Sequence, residues 1–178
     1  VETDDSVLRQ TSARLPWLLI GMLGGIGNSM ILGNFDTTFA AHPEMALYIP
    51  LIGGTGGNVG TQSSALVVQG LANSSLDANN TWKQILKESV VALINATIIS
   101  MLVYIYNFVR FGPTATVSYS VSLSLFAVVM FASIFGTLVP MTLEKLKIDP
   151  AIATGPFISI TNDIIGMMLY MGITVLLS

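Results

Sequence analysis

The chain has 178 residues, of which 52% are hydrophobic and 10% are charged, and its formal net charge at pH 7 is −3. Soluble globular domains carry about 25% charged residues, so this composition excludes a soluble domain and predicts an integral protein of the lipid bilayer. The weak negative charge, without a basic cluster, argues against a nucleic-acid partner. The absence of cysteine excludes disulfides and thiolate metal sites.

Five apolar segments are each long enough to cross a bilayer as a helix, which takes about 20 residues. They lie at residues 16–40, 45–70, 85–109, 118–143 and 150–177. Turn residues mark their ends: Pro16 is predicted in the first turn of the first helix, Gly112 and Pro113 separate the third from the fourth, and Asp149 is predicted to cap the fifth. The sequence therefore predicts an all-α polytopic membrane protein with five transmembrane helices.

Residues 1–15 are polar and lack the pattern of a signal peptide. We interpret them as the cut end of a cytosolic connector, and residues 16–178 as the membrane domain. Six of the seven Lys and Arg residues would lie on the side of residue 1, and only Arg110 on the other. Because short cytoplasmic loops retain positive charge, we expect a multi-pass protein of the cell (inner) membrane with a cytoplasmic N-terminus and an outside C-terminus.

The second segment contains a run of glycines in which Gly53, Gly56 or Gly57, and Gly60 recur at the spacing of one helix face. Two interpretations stay open for such a face: close helix packing, or a narrow polar path bordered by backbone. The side chains of Asn58, Thr61 and Gln62, all able to form hydrogen bonds, favour the path. A phosphate-binding loop is excluded, since no Lys follows the glycines.

Asp163 is the one acidic residue near the middle of a predicted segment. A carboxylate at membrane depth costs several kcal/mol unless it faces water, a partner or an ion, and so indicates a functional site. Gly155, Ser159 and Asp163 are four residues apart and share a helix face, with Asn162 beside them. Oxygen ligands of this kind suit Mg²⁺ or Ca²⁺. The alternative is a protonated aspartic acid that joins helices by hydrogen bonds.

Two prolines within the predicted segments have a further expected effect. Because proline lacks an N–H, Pro50 is expected to free the carbonyl of Ala46, and Pro156 to free the carbonyl of Ile152 as an additional oxygen near Asp163.

The acidic and histidine residues do not form a catalytic arrangement. The membrane acid is single and His42 is remote in sequence, so a hydrolase is not indicated and we predict no enzyme activity. A single acid per chain instead favours a homodimer, in which a two-fold axis places two copies of Asp163 around one path.

Three stretches together resemble one known family, the MgtE magnesium channels. They are RLPWLL at residues 14–19, PLIGGTGGNVGTQ at residues 50–62, and DPAIATGPF at residues 149–157 leading to Asn162 and Asp163. The resemblance covers nearly the whole chain and concerns the membrane domain of that family. It implies five transmembrane helices, a homodimer with the pore at its interface, and a cytosolic regulatory part of the same chain, with an N-terminal domain and paired CBS domains, that this sequence does not include.

Carried over by motif, Asp163 corresponds to the pore acid that holds a largely hydrated Mg²⁺, with backbone oxygens near Gly155 and Ser159 contributing. Asn58 and Thr61 would lie on the adjacent pore wall. We also expect three neighbouring residues to line the pore, namely Gly57, Gln62 and Asn162.

The functional hypothesis is passive, electrically driven passage of Mg²⁺, which gives up its water reluctantly and is therefore best gripped in hydrated form. Two alternatives stay open. One is an exchanger that couples Mg²⁺ to Na⁺, for which a single intramembrane acid is a poor fit. The other is a dimerising membrane anchor for a cytosolic sensor, which has no use for a buried acid.

Overall fold

The computed structural model describes the backbone of residues 1–178 and every side chain except those of Ala78 and Ala153, so the Ala153 side chain of the third family motif lies outside the described residues. Six α-helices follow one another: α1 (Val7–Gly33), α2 (Asp36–Ala41), α3 (Ile49–Ala72), α4 (Thr81–Phe111), α5 (Thr116–Lys145) and α6 (Pro156–Leu177). Short 3-10 turns precede three of them, at Pro43–Tyr48, Ala78–Asn80 and Pro150–Thr154. Over the described backbone no strand occurs, so the all-α prediction is confirmed.

The first helix begins earlier and ends earlier than predicted. Ser6 is its N-cap and accepts a hydrogen bond from the Arg9 N–H at 3.3 Å. The placement of Pro16 in a first turn was therefore wrong, because the helix starts at Val7, nine residues ahead of the proline. Helix α1 continues through Pro16, which costs one backbone hydrogen bond, and ends at Gly33.

Pro50 and Pro156 begin helices, and the carbonyls that we expected them to free are both occupied. The Ala46 carbonyl accepts from the Ile49 N–H, and the Ile152 carbonyl accepts from the Gly155 N–H over a long 3.4 Å. Each expectation was wrong for the same reason: a 3-10 turn precedes the proline, and its i to i+3 bond uses the carbonyl. Asp149 accepts from the Ala151 N–H at 3.0 Å and so caps the 3-10 turn Pro150–Thr154. The expectation that it caps the last long helix was wrong, because this turn comes first and α6 begins only at Pro156, with Gly155 as its N-cap.

Helix α5 is the centre of the bundle. It contacts α3, α4 and α6, and it carries buried residues along its whole length, from Val117 to Met141. Helix α1 packs mainly on α6 and has no buried residue of its own. At one end of the bundle a core cluster joins α3, α5, α6 and the turn before α3, with Met45, Ile52, Leu125 and Tyr170 all fully buried.

Four described helices are long and apolar enough to cross a membrane: α1, α4, α5 and α6. The chain is thus a helical membrane protein. Helix α3 has 24 residues, or roughly 36 Å at 1.5 Å per residue, so its length also suffices. It falls outside the apolar set because glycine, serine and amide residues take the place of large aliphatic ones along it.

Candidate functional site

Asp163 lies on α6, in the eighth position of the helix, and its side chain is half-buried. Helix α3 faces it with Gly53: a Cβ atom built at that glycine would lie 3.6 Å from Asp163 Oδ1. Among the described residues the carboxylate has no hydrogen-bond or ion-pair partner. On this side the carboxylate is therefore bordered by a position of α3 that has no side chain.

The buried glycines of α3 form the contact with α6. Gly53 faces Asp163, and Gly60, seven residues further on, faces Ile158 and Asn162, so the two helices run antiparallel. Between these glycines, Gly56 lies against the backbone oxygen of Asn162 at 3.8 Å, measured from a Cβ built at position 56. The predicted glycine face therefore exists, and it is the surface on which α3 and α6 approach closely.

The open face of α3 carries a stripe of small and polar residues at helical spacing. Its exposed members are Gly54, Asn58, Thr61, Gln62, Ala65 and Gln69, and Leu66, an aliphatic residue that is 65% exposed, lies at its edge. On α6, Ser159 is exposed and Gly155 is half-buried. Five of the predicted residues are thus exposed or half-buried on α3 and α6: Asn58, Thr61, Gln62, Gly155 and Ser159. We call the surface that would unite them with Asp163 the α3–α6 face, and their grouping around that acid stays a prediction. Gly57 is half-buried at the edge of the stripe, with no described atom outside its own helix within 4 Å of a Cβ built there.

Asn162 lies elsewhere. It is 1% exposed, and its side chain points between α3 and α6 against Gly60. Both polar atoms of its amide lack a hydrogen-bond partner among the described residues, which costs about 1–3 kcal/mol for a buried group. Adjacent residues on a helix are separated by roughly 100°, and this separation turns Asn162 inward while Asp163 is only half-buried, beside Gly53. Its pore-lining role stays a prediction.

Sequence reasoning missed a second carboxylate that touches α3. Glu88 is the eighth residue of α4, and its Oε1 accepts a hydrogen bond of 2.7 Å from the hydroxyl of Ser63. Ser63 is 5% exposed. The signal was present in the spacing, since Glu88 lies four residues before Ala92 and eight before Ala96, the two buried alanines on the packed face of α4.

Helices long and apolar enough to cross a bilayer, one of which carries Asp163 along its length, define a helical membrane protein. The chain belongs to the MgtE family, described as divalent cation transporters, whose profile matches residues 49–173. This membership confirms the resemblance drawn from the motifs.

Curated relatives agree with that assignment. The chain is 33% identical over 160 residues to a magnesium transporter MgtE of Bacillus subtilis, and 33% identical over 165 residues to one of Thermus thermophilus. It is 30% identical over 172 residues to one of Enterococcus faecalis. These alignments cover 90–97% of this chain and 35–38% of the relatives, so the chain spans about a third of their length. Their names describe transport and not catalysis.

Proposed function

We propose that the chain conducts Mg²⁺ passively through a path formed where the α3–α6 faces of two copies meet across a two-fold axis, with α3 as the fifth membrane-spanning helix. The observation that carries this proposal is Asp163, an unpartnered carboxylate on a membrane-length helix, half-buried beside Gly53 at one end of an exposed polar stripe. A lipid-facing surface has no use for such a stripe, because each polar group in hydrocarbon costs free energy.

Charge supports a dimeric path. Two copies would bring together two Asp163 carboxylates, whose two negative charges neutralise one divalent cation. A single monovalent cation would neutralise only one of the two charges. Among the described residues no group of three or more His, Asp or Glu side chains lies close enough to hold a metal. The donors near Asp163 are few, so an ion held there would keep most of its own water, as Mg²⁺ prefers.

The open face also offers the hydrogen-bond acceptors that metal-bound water needs. The Thr61 hydroxyl donates its proton to the Gly57 carbonyl at 2.8 Å, which leaves its lone pairs facing outward as acceptors. The side-chain oxygens of Asn58 and Gln62 are exposed beside it and add further acceptors. Waters bound to Mg²⁺ are strong donors, so this wall suits a hydrated cation.

The membrane potential is a sufficient driving force for this passage. A doubly charged ion gains roughly 4.6 kcal/mol per 100 mV of inside-negative potential, at about 2.3 kcal/mol per charge. No coupling ion is needed for uptake.

The test is Mg²⁺ flux into liposomes that contain the chain, with and without a Na⁺ gradient, in the native form and as Asp163→Asn. Glu144→Gln is the matched control, since it neutralises an exposed acid at the end of α5. We expect Na⁺-independent flux that falls at least tenfold in Asp163→Asn and stays within twofold in Glu144→Gln. Unchanged flux in Asp163→Asn would contradict the path, flux that requires Na⁺ would indicate an exchanger, and no flux in any form would indicate an anchor.

A further inference from the structure

The hydrogen bond between Ser63 and Glu88 links α3 to a helix that it otherwise scarcely touches. Helices α3 and α4 pack chiefly against α5. At the crossing, α5 presents Gly136, where an added Cβ would lie 2.7 Å from the Gly60 carbonyl oxygen and 3.2 Å from Ser63 Cβ. Because α5 has no side chain at this point, α3 lies close enough for the Glu88 carboxylate to reach Ser63.

The bond is made on the side of α3 that lies away from Asn58 and Thr61. Successive helix positions are separated by roughly 100°, so Asn58 and Thr61 lie roughly 140° and 160° around the helix axis from Ser63. A contact that holds Ser63 toward α4 therefore directs Asn58 and Thr61 to the opposite side, which is the α3–α6 face.

On this half of α3 the packing side chains belong to the neighbouring helices: Val128 of α5 lies against Gly56, and Asn162 of α6 lies against Gly60. The glycines themselves have no side chain, so the hydrogen bond of Ser63 is a directional contact made by a side chain of α3 in this region. Larger groups anchor the other end of α3: Ile52 is fully buried in the core cluster, and the hydroxyl of Tyr48, in the turn before the helix, donates to Asn107 Oδ1 of α4. Helix α4 thus holds the α3 region at two points, and Glu88 provides the one beside the polar stripe.

We propose that Glu88 is a positioning residue that fixes the rotation of the Gly53–Gln62 part of α3 and so keeps Asn58, Thr61 and Gln62 on the α3–α6 face. The inference rests on the proposed function only in taking that face to be the ion path. The packed face of α4 carries alanine at positions 92 and 96 but a glutamate at position 88. A charged acceptor makes a stronger hydrogen bond than a neutral one, which explains the carboxylate at this position.

The experiment uses the absence of cysteine from the native chain. Thr61→Cys is introduced as a single reporter, and its rate of modification by a charged thiol reagent is measured in liposomes. The measurement is repeated with Glu88→Ala, with Ser63→Ala, and with Glu88→Gln, which retains an acceptor oxygen. Ser89→Ala is the control, since the Ser89 hydroxyl bonds only to the Ile85 carbonyl of its own helix, at 2.8 Å. A second reporter, Ser29→Cys on the exposed side of α1, monitors the fold as a whole.

We expect the Thr61→Cys rate to fall at least fivefold with Glu88→Ala and with Ser63→Ala, and to stay within twofold with Glu88→Gln and Ser89→Ala. The Ser29→Cys rate should stay within twofold throughout. If Glu88→Ala does not assemble, Ser63→Ala alone decides. An unchanged Thr61→Cys rate, or an equal fall at both reporters, overturns the positioning role. Because the readout does not require transport, a chain that fails to conduct Mg²⁺ would refute the proposed function and still leave this inference testable.

Discussion

Helices α3 and α4 each leave one long face uncovered, and the two faces differ in chemistry. The uncovered face of α4 is aliphatic, with Val90, Ile94, Met101 and Leu102 each more than half exposed. The uncovered face of α3 carries glycine, asparagine, threonine and glutamine, with Leu66 as an exposed aliphatic residue at its edge. An aliphatic face is stable against acyl chains, whereas a polar one needs water, protein or ions beside it. This difference is the one that the proposed function requires, with α4 against lipid and the open side of α3 against the path and a second copy.

The largest expected effect is on the unfolding midpoint, and it distinguishes a glycine on the buried face of α3 from one near its open side. A Cβ added by Gly60→Ala would overlap the Asn162 amide, whereas Gly57→Ala meets no described atom outside its own helix within 4 Å. Overpacking costs about 1–3 kcal/mol. We expect Gly60→Ala to lower the unfolding midpoint in detergent clearly and Gly57→Ala to leave it equal or higher, as measured by thermal unfolding. Equal midpoints would show that the glycine contact with α6 is loose.

The next largest effect is on Mg²⁺ flux, when a residue type from the open face of one helix is placed on the open face of the other. Asn58→Leu gives α3 a side chain of the α4 kind, so it should lower Mg²⁺ flux about tenfold, equivalent to roughly 1.4 kcal/mol in the barrier, without changing the amount of protein in the membrane. The reciprocal change Leu102→Asn should leave flux within twofold, because α4 lies away from the path. Flux in liposomes, normalised to protein, measures both. Equal losses in the two variants would remove the distinction between the faces.

The smallest effect concerns α6. Ser159 is exposed one helical turn before Asp163, where its hydroxyl can contact the water shell of the ion but adds no charge. We expect Ser159→Ala to lower Mg²⁺ flux about two- to threefold, which is roughly 0.4–0.7 kcal/mol, with no change in unfolding midpoint. A loss as large as that of Asp163→Asn would mean that the hydroxyl binds the ion directly.

The sequence was sufficient to predict the helical membrane class, the helix end at Gly112 and the turn that Asp149 caps, because each depends on local composition or turn chemistry. It also predicted the glycine face of α3. The start of α1 was predicted wrongly. The preference of proline for the first turn suggested a start at Pro16, whereas Ser6 caps the helix and the residues that follow it are already helical.

The contacts between helices were beyond prediction from one sequence. Ser63 and Glu88 are 25 residues apart, and their bond depends on how closely α3 approaches α5 at Gly136. The inward turn of Asn162 was foreseeable from its adjacency to Asp163, because neighbouring residues on a helix cannot share one face. Five membrane crossings and the two-fold assembly stay predictions.

The most direct test of the central claim places a cysteine on the proposed path. Asn58→Cys is treated with a charged thiol reagent while Mg²⁺ flux into liposomes is recorded, and Leu102→Cys on the lipid-facing side of α4 serves as the matched control. The account predicts that modification of Asn58→Cys blocks flux at least tenfold, that Mg²⁺ slows the modification, and that Leu102→Cys reacts without loss of flux or does not react. Full modification of Asn58→Cys with flux unchanged would contradict the claim that Mg²⁺ passes along the α3–α6 face.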